Sequence, residues 1–450
     1  MKKILTLLLA LWMLTGCVAM AAGNQLVVGS TTAMSGAFFT DLFGSNTADI
    51  DVRALLHGYN LMSWDHETGT YQINDSVVAG MAVSRDAQNN RVYTFDLYGD
   101  LKFSDGSAIT AKDYAFSILL TASPELAKLG GQSAAVGAIL GMDAYQSGKS
   151  SVLRGVRLLS DTQMSITISK AYEPYFYEMA LFDYSPYPIS VLAPGCKVVD
   201  TEKGVGIVNA GGTGTAIFTA ALLQKTILDA ATGYMSHPSV VSGPYTLTRY
   251  DAQRGTASFA INPYYKGNEE GEKPTIETIV YRSVANDEAI DLLLSGEVDL
   301  LNKMVAADTI SKGIQSTADQ PFSVANYPRS GLSMISFSCE RQTVSGKAVR
   351  QAIASCFDRD ALVKAYTGNF GLKANGYFGI GQWMYQLAAG TIQPPVVDLP
   401  ANATAKETAA YEKTVAQWDA LSLDKLKDYP LDLDQAAKLL DQDEWRLGKD

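Results

Sequence analysis

The sequence predicts an α/β protein with mixed sheets, and two stretches carry that prediction. Residues 93–117, YTFDLYGDLKFSDGSAITAKDYAFS, read as strand, turn, short strand, turn and helix. Tyr93, Phe95 and Leu97 alternate with polar neighbours, as a half-buried strand requires. Asp105-Gly106 supplies a tight turn. Thr110 is placed to cap the following helix, and Asp113, three residues on, offers its carboxylate to the first turn. The second stretch runs from Pro274 to Leu300. PTIETIVYR reads as a strand, and NDEAIDLLLSGEVDL as an amphipathic helix stopped at Gly296 and followed by another strand.

The intervening segments follow the same grammar. A strand is expected over 23–30 (NQLVVGS), then a Gly/Ser/Thr-rich loop to Asn46 and a helix over 51–62 ending near Trp64-Asp65. Residues 71–78 suggest a hairpin, and 137–148 a helix with a glycine stop. Residues 152–168 alternate and read as two strands around Ser160-Asp161. Residues 195–239 are rich in Gly, Ala and Thr and are read as a flexible turn before a helix. Gly211-Gly212-Thr213-Gly214 lacks the Gly-Lys-Ser/Thr ending that a phosphate loop needs. Strands are expected at Ser242–Leu247 and helices at 347–364 and 431–445.

Composition bounds the function. The chain of 450 residues is 47% hydrophobic and 18% charged, enough apolar material for a large core in two or three domains. Its net charge is −11. Such a surface repels phosphate backbones, so nucleic acid is excluded as the expected partner. The four cysteines are Cys17, Cys196, Cys339 and Cys356. Without Cys17 the set is odd and implies no full disulfide framework. Cys339 and Cys356 lie in apolar runs and are expected as buried small hydrophobes. The three histidines, His57, His66 and His237, fall in no metal-binding spacing, and His57 is expected to pack on a helix face. Neither a metal nor any other cofactor is expected.

The N-terminus reads as a secretory leader. Lys2-Lys3 precede an apolar run from Ile4 to Leu14, too short to span a bilayer stably. Leu14-Thr15-Gly16-Cys17 looks like a bacterial lipobox, which makes residues 1–16 a lipoprotein signal and Cys17 the lipidated residue. Cleavage of an ordinary signal near Ala19-Met20-Ala21 is the alternative. Loss of residues 1–16 removes two lysines and no acids, taking −11 to −13.

In order along the chain, several motifs resemble those of the family 5 solute-binding proteins of bacterial ABC importers, the oligopeptide, dipeptide and nickel-binding type. The 93–117 stretch resembles the family's Y-x-F-x-L-R, K-F-x-D-G and T-A-x-D-V-x-F-S elements, with Tyr98 where a basic residue is usual. GAILGMDAYQSG, SGPYTL, Asn262-Pro263-Tyr264-Tyr265, KAVRQAIASCFDRDALVK and LDLDQAAKLLDQDEW resemble later elements. The resemblance implies a bilobal, periplasmic-binding-protein-like α/β fold of type II with an extra subdomain and a Venus-flytrap cleft. It further implies lobe I over 17–48 and 155–283, a small subdomain over 49–154 and lobe II over 284–450, with the crossing near Val280 to Ala285. Full-length relatives continue beyond the element at 431–445. The chain is therefore read as truncated, with the aspartate that pairs with a peptide's α-amino group expected beyond residue 450.

The function so implied is capture of peptides and delivery to an ABC permease with its ATPase, by an extracytoplasmic, lipid-anchored monomer that is not an enzyme. Nickel chelates, heme and oligosaccharides remain as ligands of the same fold. A secreted hydrolase is the reading from another class, but no G-x-S-x-G occurs and no histidine sits in a supporting motif. The candidate ligand contacts are the Gly44-Ser45-Asn46-Thr47 loop, read as offering free N–H groups near a helix start, and the aromatics Tyr59, Trp64, Trp383 and Tyr385. Tyr59 and Trp64 read first as core residues of the small subdomain and only second as contacts. Trp383 is placed in a loop resembling one that approaches the family's ligand.

Overall fold

The computed structural model describes residues 24–65, 70–132, 137–173, 178–212, 214–327, 331–392, 403–442 and 445. The leader and Cys17 lie outside the described residues, as does His66. The chain divides into two compact units. One takes in the described residues of Met1–Trp64 and Tyr71–Lys303, the other those of Asp65–Thr70 and Met304–Asp450.

In the first unit, β1 (Gln25–Ser30) is followed by the helix Thr47–Leu56, β2 (Met62–Asp65), β3 (Thr70–Ile73), β4 (Val78–Arg85), β5 (Arg91–Leu97) and the helix Ala111–Thr121. Next come β6 (Val152–Leu153), β7 (Val156–Leu158), β8 (Gln163–Ile168), β9 (Cys196–Thr201) and β10 (Gly204–Asn209). The helix Ala220–Ile227, β11 (Tyr245–Asp251), β12 (Thr256–Ile261), β13 (Thr278–Ser283), the helix Ala289–Leu294 and β14 (Leu300–Asn302) complete it. A five-stranded sheet has the order β11-β12-β13-β1-β14. Strand β1 runs parallel to both β13 and β14, while β11, β12 and β13 are antiparallel neighbours. A four-stranded antiparallel sheet has the order β4-β5-β8-β7, a three-stranded one β6-β10-β9, and β2 pairs with β3.

The expected alternation holds in β5: Tyr93, Phe95 and Leu97 are buried and Asp96 is exposed. On β8, Ile166 stands opposite Tyr93 and Met164 opposite Phe95, and both are fully buried, as is Ile168. Phe182 fills the same layer, its ring centroid 4.6 Å from that of Tyr93 and 5.4 Å from that of Phe95. The helix Ala111–Thr121 is buried almost all round, which explains its apolar composition. Its start is the expected capping box. Asp113 Oδ2 accepts the Thr110 N–H at 2.8 Å and the Thr110 hydroxyl at 2.9 Å. Gly106 adopts φ +85°, and a Cβ there would meet the Tyr264 ring at 3.0 Å, so the tight turn requires glycine. Tyr98, where a basic residue was expected from the resemblance, receives one from elsewhere: the Lys266 ammonium lies 4.6 Å from its ring centroid.

Several expectations are corrected. The helix expected at 51–62 begins at Thr47 and ends at Leu56, because Asn46 caps it and the chain leaves the helix at His57 in an extended conformation. Residues 62–65 are strand instead. The 195–239 segment is not only a turn: β9 and β10 form a hairpin there, before a helix capped by the Thr219 side chain. The helix expected at 137–148 is confined to Met142–Gln146.

In the second unit no strand is found among the described residues of 304–450. The helices Lys347–Ser355 and Leu433–Gln442 pack together, burying Val349, Ala352 and Ala436, and the Ser355 carbonyl accepts the Asp432 N–H at 2.8 Å. The helix Arg359–Thr367 follows, capped by Asp358, and Arg359 forms an ion pair with Asp428. Cys356 at the end of the first helix and Cys339 are exposed, which corrects the expectation of burial. The segment around Cys339 forms no described strand that could carry its apolar residues into a core, and Met334 and Ile335 beside it are exposed.

Asp113 provides a pH test of this packing. Burial pushes its carboxyl up to about 6, against the pull of the Thr110 hydrogen bonds and of Lys112. A raised folded-state pKa in an acid means stability that is present at low pH and is lost as pH rises through 6. Between pH 7 and pH 5, the wild-type protein should therefore gain about 1 kcal/mol relative to Asp113→Asn. Urea unfolding of both proteins at the two pH values measures it. Equal gains would assign the pH dependence elsewhere.

Candidate functional site

The helix Thr47–Leu56 organises the first unit's polar edge through two carboxylates on different faces. Asp49 is fully buried. Its oxygens accept the Ser35 N–H at 2.9 Å, the Ser35 hydroxyl at 2.6 Å, the Gly36 N–H at 3.2 Å and the Asn46 N–H at 3.3 Å. Asn46 reciprocates by accepting the Asp49 N–H at 3.0 Å. One carboxylate thus closes the capping box and fixes the loop before the helix.

Two of the four N–H groups expected to be free in the 44–47 loop are engaged by the protein itself. The Gly44 N–H donates to the Asp41 carbonyl at 2.9 Å, and that of Asn46 is engaged by Asp49. The Ser45 hydroxyl donates to the Asn46 carbonyl at 3.4 Å and the Thr47 hydroxyl to that of Thr32 at 3.3 Å. Gly44 borders an open depression of about 310 Å³ lined by Ser35, Phe43, Leu228, Asp229 and Met235 among others.

Asp51 faces the other way. Its oxygens accept the Tyr281 hydroxyl at 2.8 Å and the Asn302 amide at 2.8 Å, and it forms an ion pair with Lys303. Tyr281 lies on β13, Asn302 ends β14 and Lys303 follows with φ +55°, unusual for a residue with a side chain. Burial first, and the Asp51 carboxylate beside it, push the Tyr281 hydroxyl upward, so it stays a donor at neutral pH. Ser30, at the end of β1, stands opposite Ser283 and Asn302. The carboxyl ends of three parallel strands therefore meet at one polar edge, the place where open α/β sheets hold ligands. Sequence reasoning missed Asp49 and Asp51; the cap pairing of Asn46 with an acid three residues on could have found Asp49.

The aromatic candidates separate. Tyr59 is a structural residue, the first of its two sequence readings. It is 3% exposed, stacks on Tyr265 at 5.0 Å, accepts the Lys266 N–H at 2.6 Å and has φ +57°. Trp64 is 39% exposed and meets Tyr71 edge to face at 5.0 Å. Trp383 heads the helix Trp383–Ala388 rather than lying in a loop, and Tyr385 is on the same helix; both are half-buried in the second unit. A second open depression, of about 330 Å³, lies in that unit between the end of this helix and Trp418-Asp419.

His57 ends the helix and packs among aromatic rings rather than on a helix face. Its Nε2 donates to the Phe38 carbonyl at 2.9 Å and its ring contacts Phe39, Tyr187 and Tyr234. Burial lowers its pKa to about 4, so it is neutral. No group of three or more His, Cys, Asp or Glu placed to hold a metal occurs among the described residues.

The model of the bacterial extracellular solute-binding proteins, family 5 Middle, matches residues 76–450, and the chain belongs to that family. Similar proteins include the oligopeptide-binding protein OppA of Lactococcus lactis subsp. lactis (strain IL1403), 25% identical over 384 residues that cover 82% of this chain and 52% of OppA. The periplasmic oligopeptide-binding protein OppA of Escherichia coli (strain K12) is 23% identical over 305 residues, 66% of this chain and 48% of the relative. The chain thus spans about half the length of the curated relatives it matches.

Solved structures show the same periplasmic-binding-protein fold. Lactococcal OppA complexed with an endogenous peptide, in the closed conformation, aligns with a TM-score of 0.60 at 18% identity, over 95% of this chain and 68% of that one. NikZ from Campylobacter jejuni in complex with Ni(L-His) aligns with a TM-score of 0.51 at 14% identity, over 79% of this chain and 57% of that one. No helix among the described residues is long and apolar enough to cross a membrane.

Removing the Asp49 carboxylate should take the acceptor from the Ser35 and Gly36 N–H groups, the second of them in a buried residue. Asp49→Ala is expected to cost roughly 2–4 kcal/mol. Asp49→Asn, which keeps an acceptor, should cost less. Thermal melting of the three proteins tests the order; equal melting temperatures would show that the loop does not depend on this carboxylate.

Proposed function

We propose that this chain is the extracytoplasmic substrate-binding component of an ABC importer, which captures peptides and passes them to a permease with its ATPase. The supporting observation is the family match across residues 76–450, joined to the likeness to peptide-binding relatives. In this reading the first compact unit corresponds to lobe I with its small subdomain, and the second to lobe II. Cys17 is the proposed lipid attachment, with the mature protein a tethered monomer without enzymatic activity. Trp64, Trp383 and Tyr385 remain as proposed ligand contacts, because each is at least partly exposed. Gly44, Ser45 and Thr47 remain through the depression that Gly44 borders. Population shift is the mechanism that fits such a binder: the ligand stabilises whichever state contacts it most fully, and the permease reads that state.

Native mass spectrometry of the complete open reading frame, expressed without residues 1–16, tests the ligand class. Co-purified masses that resolve to a mixture of short peptides are the expected result. A single non-peptide mass, such as a metal chelate, would overturn the peptide reading. So would an empty protein that gains no thermal stability from a peptide library.

A further inference from the structure

Asp51 is fixed by the fold around it, and its partner Lys303 is not. The helix Thr47–Leu56 and β13 share one core through Val52, Leu56, Ile279 and Tyr281. The Tyr281 hydroxyl and the Asn302 amide both donate to Asp51 Oδ2 at 2.8 Å and so aim the carboxylate. Its other oxygen, Oδ1, takes the Lys303 ammonium. Lys303 follows the last paired residue of β14 and is where the first unit ends. Residues 304–306 beyond it belong to neither helix nor strand, and Val305 is 54% exposed.

The backbone of Lys303 makes this pair more than a surface salt bridge. Among the described residues, four other than glycine have positive φ. Asn89 and Asn369 are of a type that tolerates it, and Tyr59 is locked by burial and by stacking on Tyr265. Lys303, at φ +55°, is instead a long flexible side chain, 30% exposed and paired with Asp51. Left-handed backbone is disfavoured for such a residue by roughly tenfold. The ion pair opposes that preference, yet it is open enough to water for salt to weaken it. Two opposing preferences of similar size meet at one residue, and it can therefore stand in either of two states.

We propose that Asp51 and Lys303 form a latch that sets the direction in which the backbone leaves the first unit. Latched, Lys303 is left-handed with its ammonium on Asp51. Released, it returns to negative φ with its ammonium in water. Rotation about φ at this one residue re-aims Met304 and Val305, as a hinge residue does. Tyr281 and Asn302 keep the carboxylate in place, ready to recapture the lysine. The device is a property of the first unit and holds whatever ligand the protein takes.

Trypsin reads the latch directly and needs no ligand. It takes a free lysine side chain on an extended backbone, and the latched Lys303 offers neither. The rate of cleavage after Lys303, divided by that after the exposed Lys149 of the same unit, reports the released fraction. The ratio should be low in wild type and rise about tenfold in Asp51→Asn, where the left-handed preference alone decides. In wild type it should also rise when NaCl is brought from about 0.1 M to about 1 M, and in Asp51→Asn salt should leave it unchanged. A ratio that Asp51→Asn does not alter would overturn the latch, whether neither site responds or both open together as the unit loosens. A second arm asks whether the backbone can turn at all. Lys303→Ala and Lys303→Gly both lose the ion pair, but only glycine accepts positive φ freely. With a latch, the alanine variant relaxes to negative φ and melts at or above the glycine variant, whose unfolded chain is more disordered. A glycine variant that melts higher would show that the fold demands positive φ here, and the two-state latch would fall.

Discussion

The first unit depends on β1 being satisfied along both edges by strands far away in sequence. Its residues pair with β13 on one side and β14 on the other. The Asp299 carboxylate accepts the Val27 N–H at 2.8 Å, and the Asp299 N–H donates to the Val27 carbonyl at 2.9 Å, which tightens the second edge. A strand with both edges closed contributes no exposed hydrogen-bonding row, but closing it requires ordering the whole loop between residues 30 and 278. That entropy is recovered only when the intervening sheets and the helix Ala111–Thr121 have packed. The long-range closure and the local cores are therefore stable together or not at all.

The helix Thr47–Leu56 links this closure to the surface. It lies in the core of the five-stranded sheet through Ala48, Val52 and Leu56. Asp49 on one face fixes the loop that precedes it, and Asp51 on another gathers Tyr281, Asn302 and Lys303. Gly243 permits the close fit at the helix end, since a Cβ there would stand 2.5 Å from the Leu55 carbonyl oxygen. Lys303, the last residue of the first unit, takes its left-handed backbone conformation next to the charge that holds its side chain. Strain and ion pair coincide at one residue, so the Asp51 contact helps to sustain a conformation that the backbone alone disfavours.

Local chemistry was legible in the sequence, and long-range chemistry was not. The alternation of β5, the turn at Asp105-Gly106 and the pairing of Thr110 with Asp113 are set by neighbours within a few residues. The helix at 47–56 was misplaced because its cap, Asn46, lies in a polar loop. Its apolar periodicity also continues past His57 into residues that pair as β2. The β9–β10 hairpin was missed because Gly, Ala and Thr after it masked two short alternating runs. Tyr59 looked like a contact because nothing in its neighbourhood shows that Tyr265 and Lys266, two hundred residues on, use both its ring and its hydroxyl.

Net charge and local charge answer different questions about such a binder. A formal charge of −11 favours cationic solutes at long range, but salt screens that attraction within about 10 Å. It gives the surface a bias without a specificity. Specificity needs a carboxylate that is fixed and partly desolvated, because only there is the energy of a matched charge large compared with that of the same charge in water. Most acids in the first unit with a nearby cation already have it: Asp51 has Lys303, Glu173 has Arg85, Glu178 has Arg91, and Asp200 has Arg157. Asp183 is held by an amide instead. An amide orients a carboxylate without neutralising it.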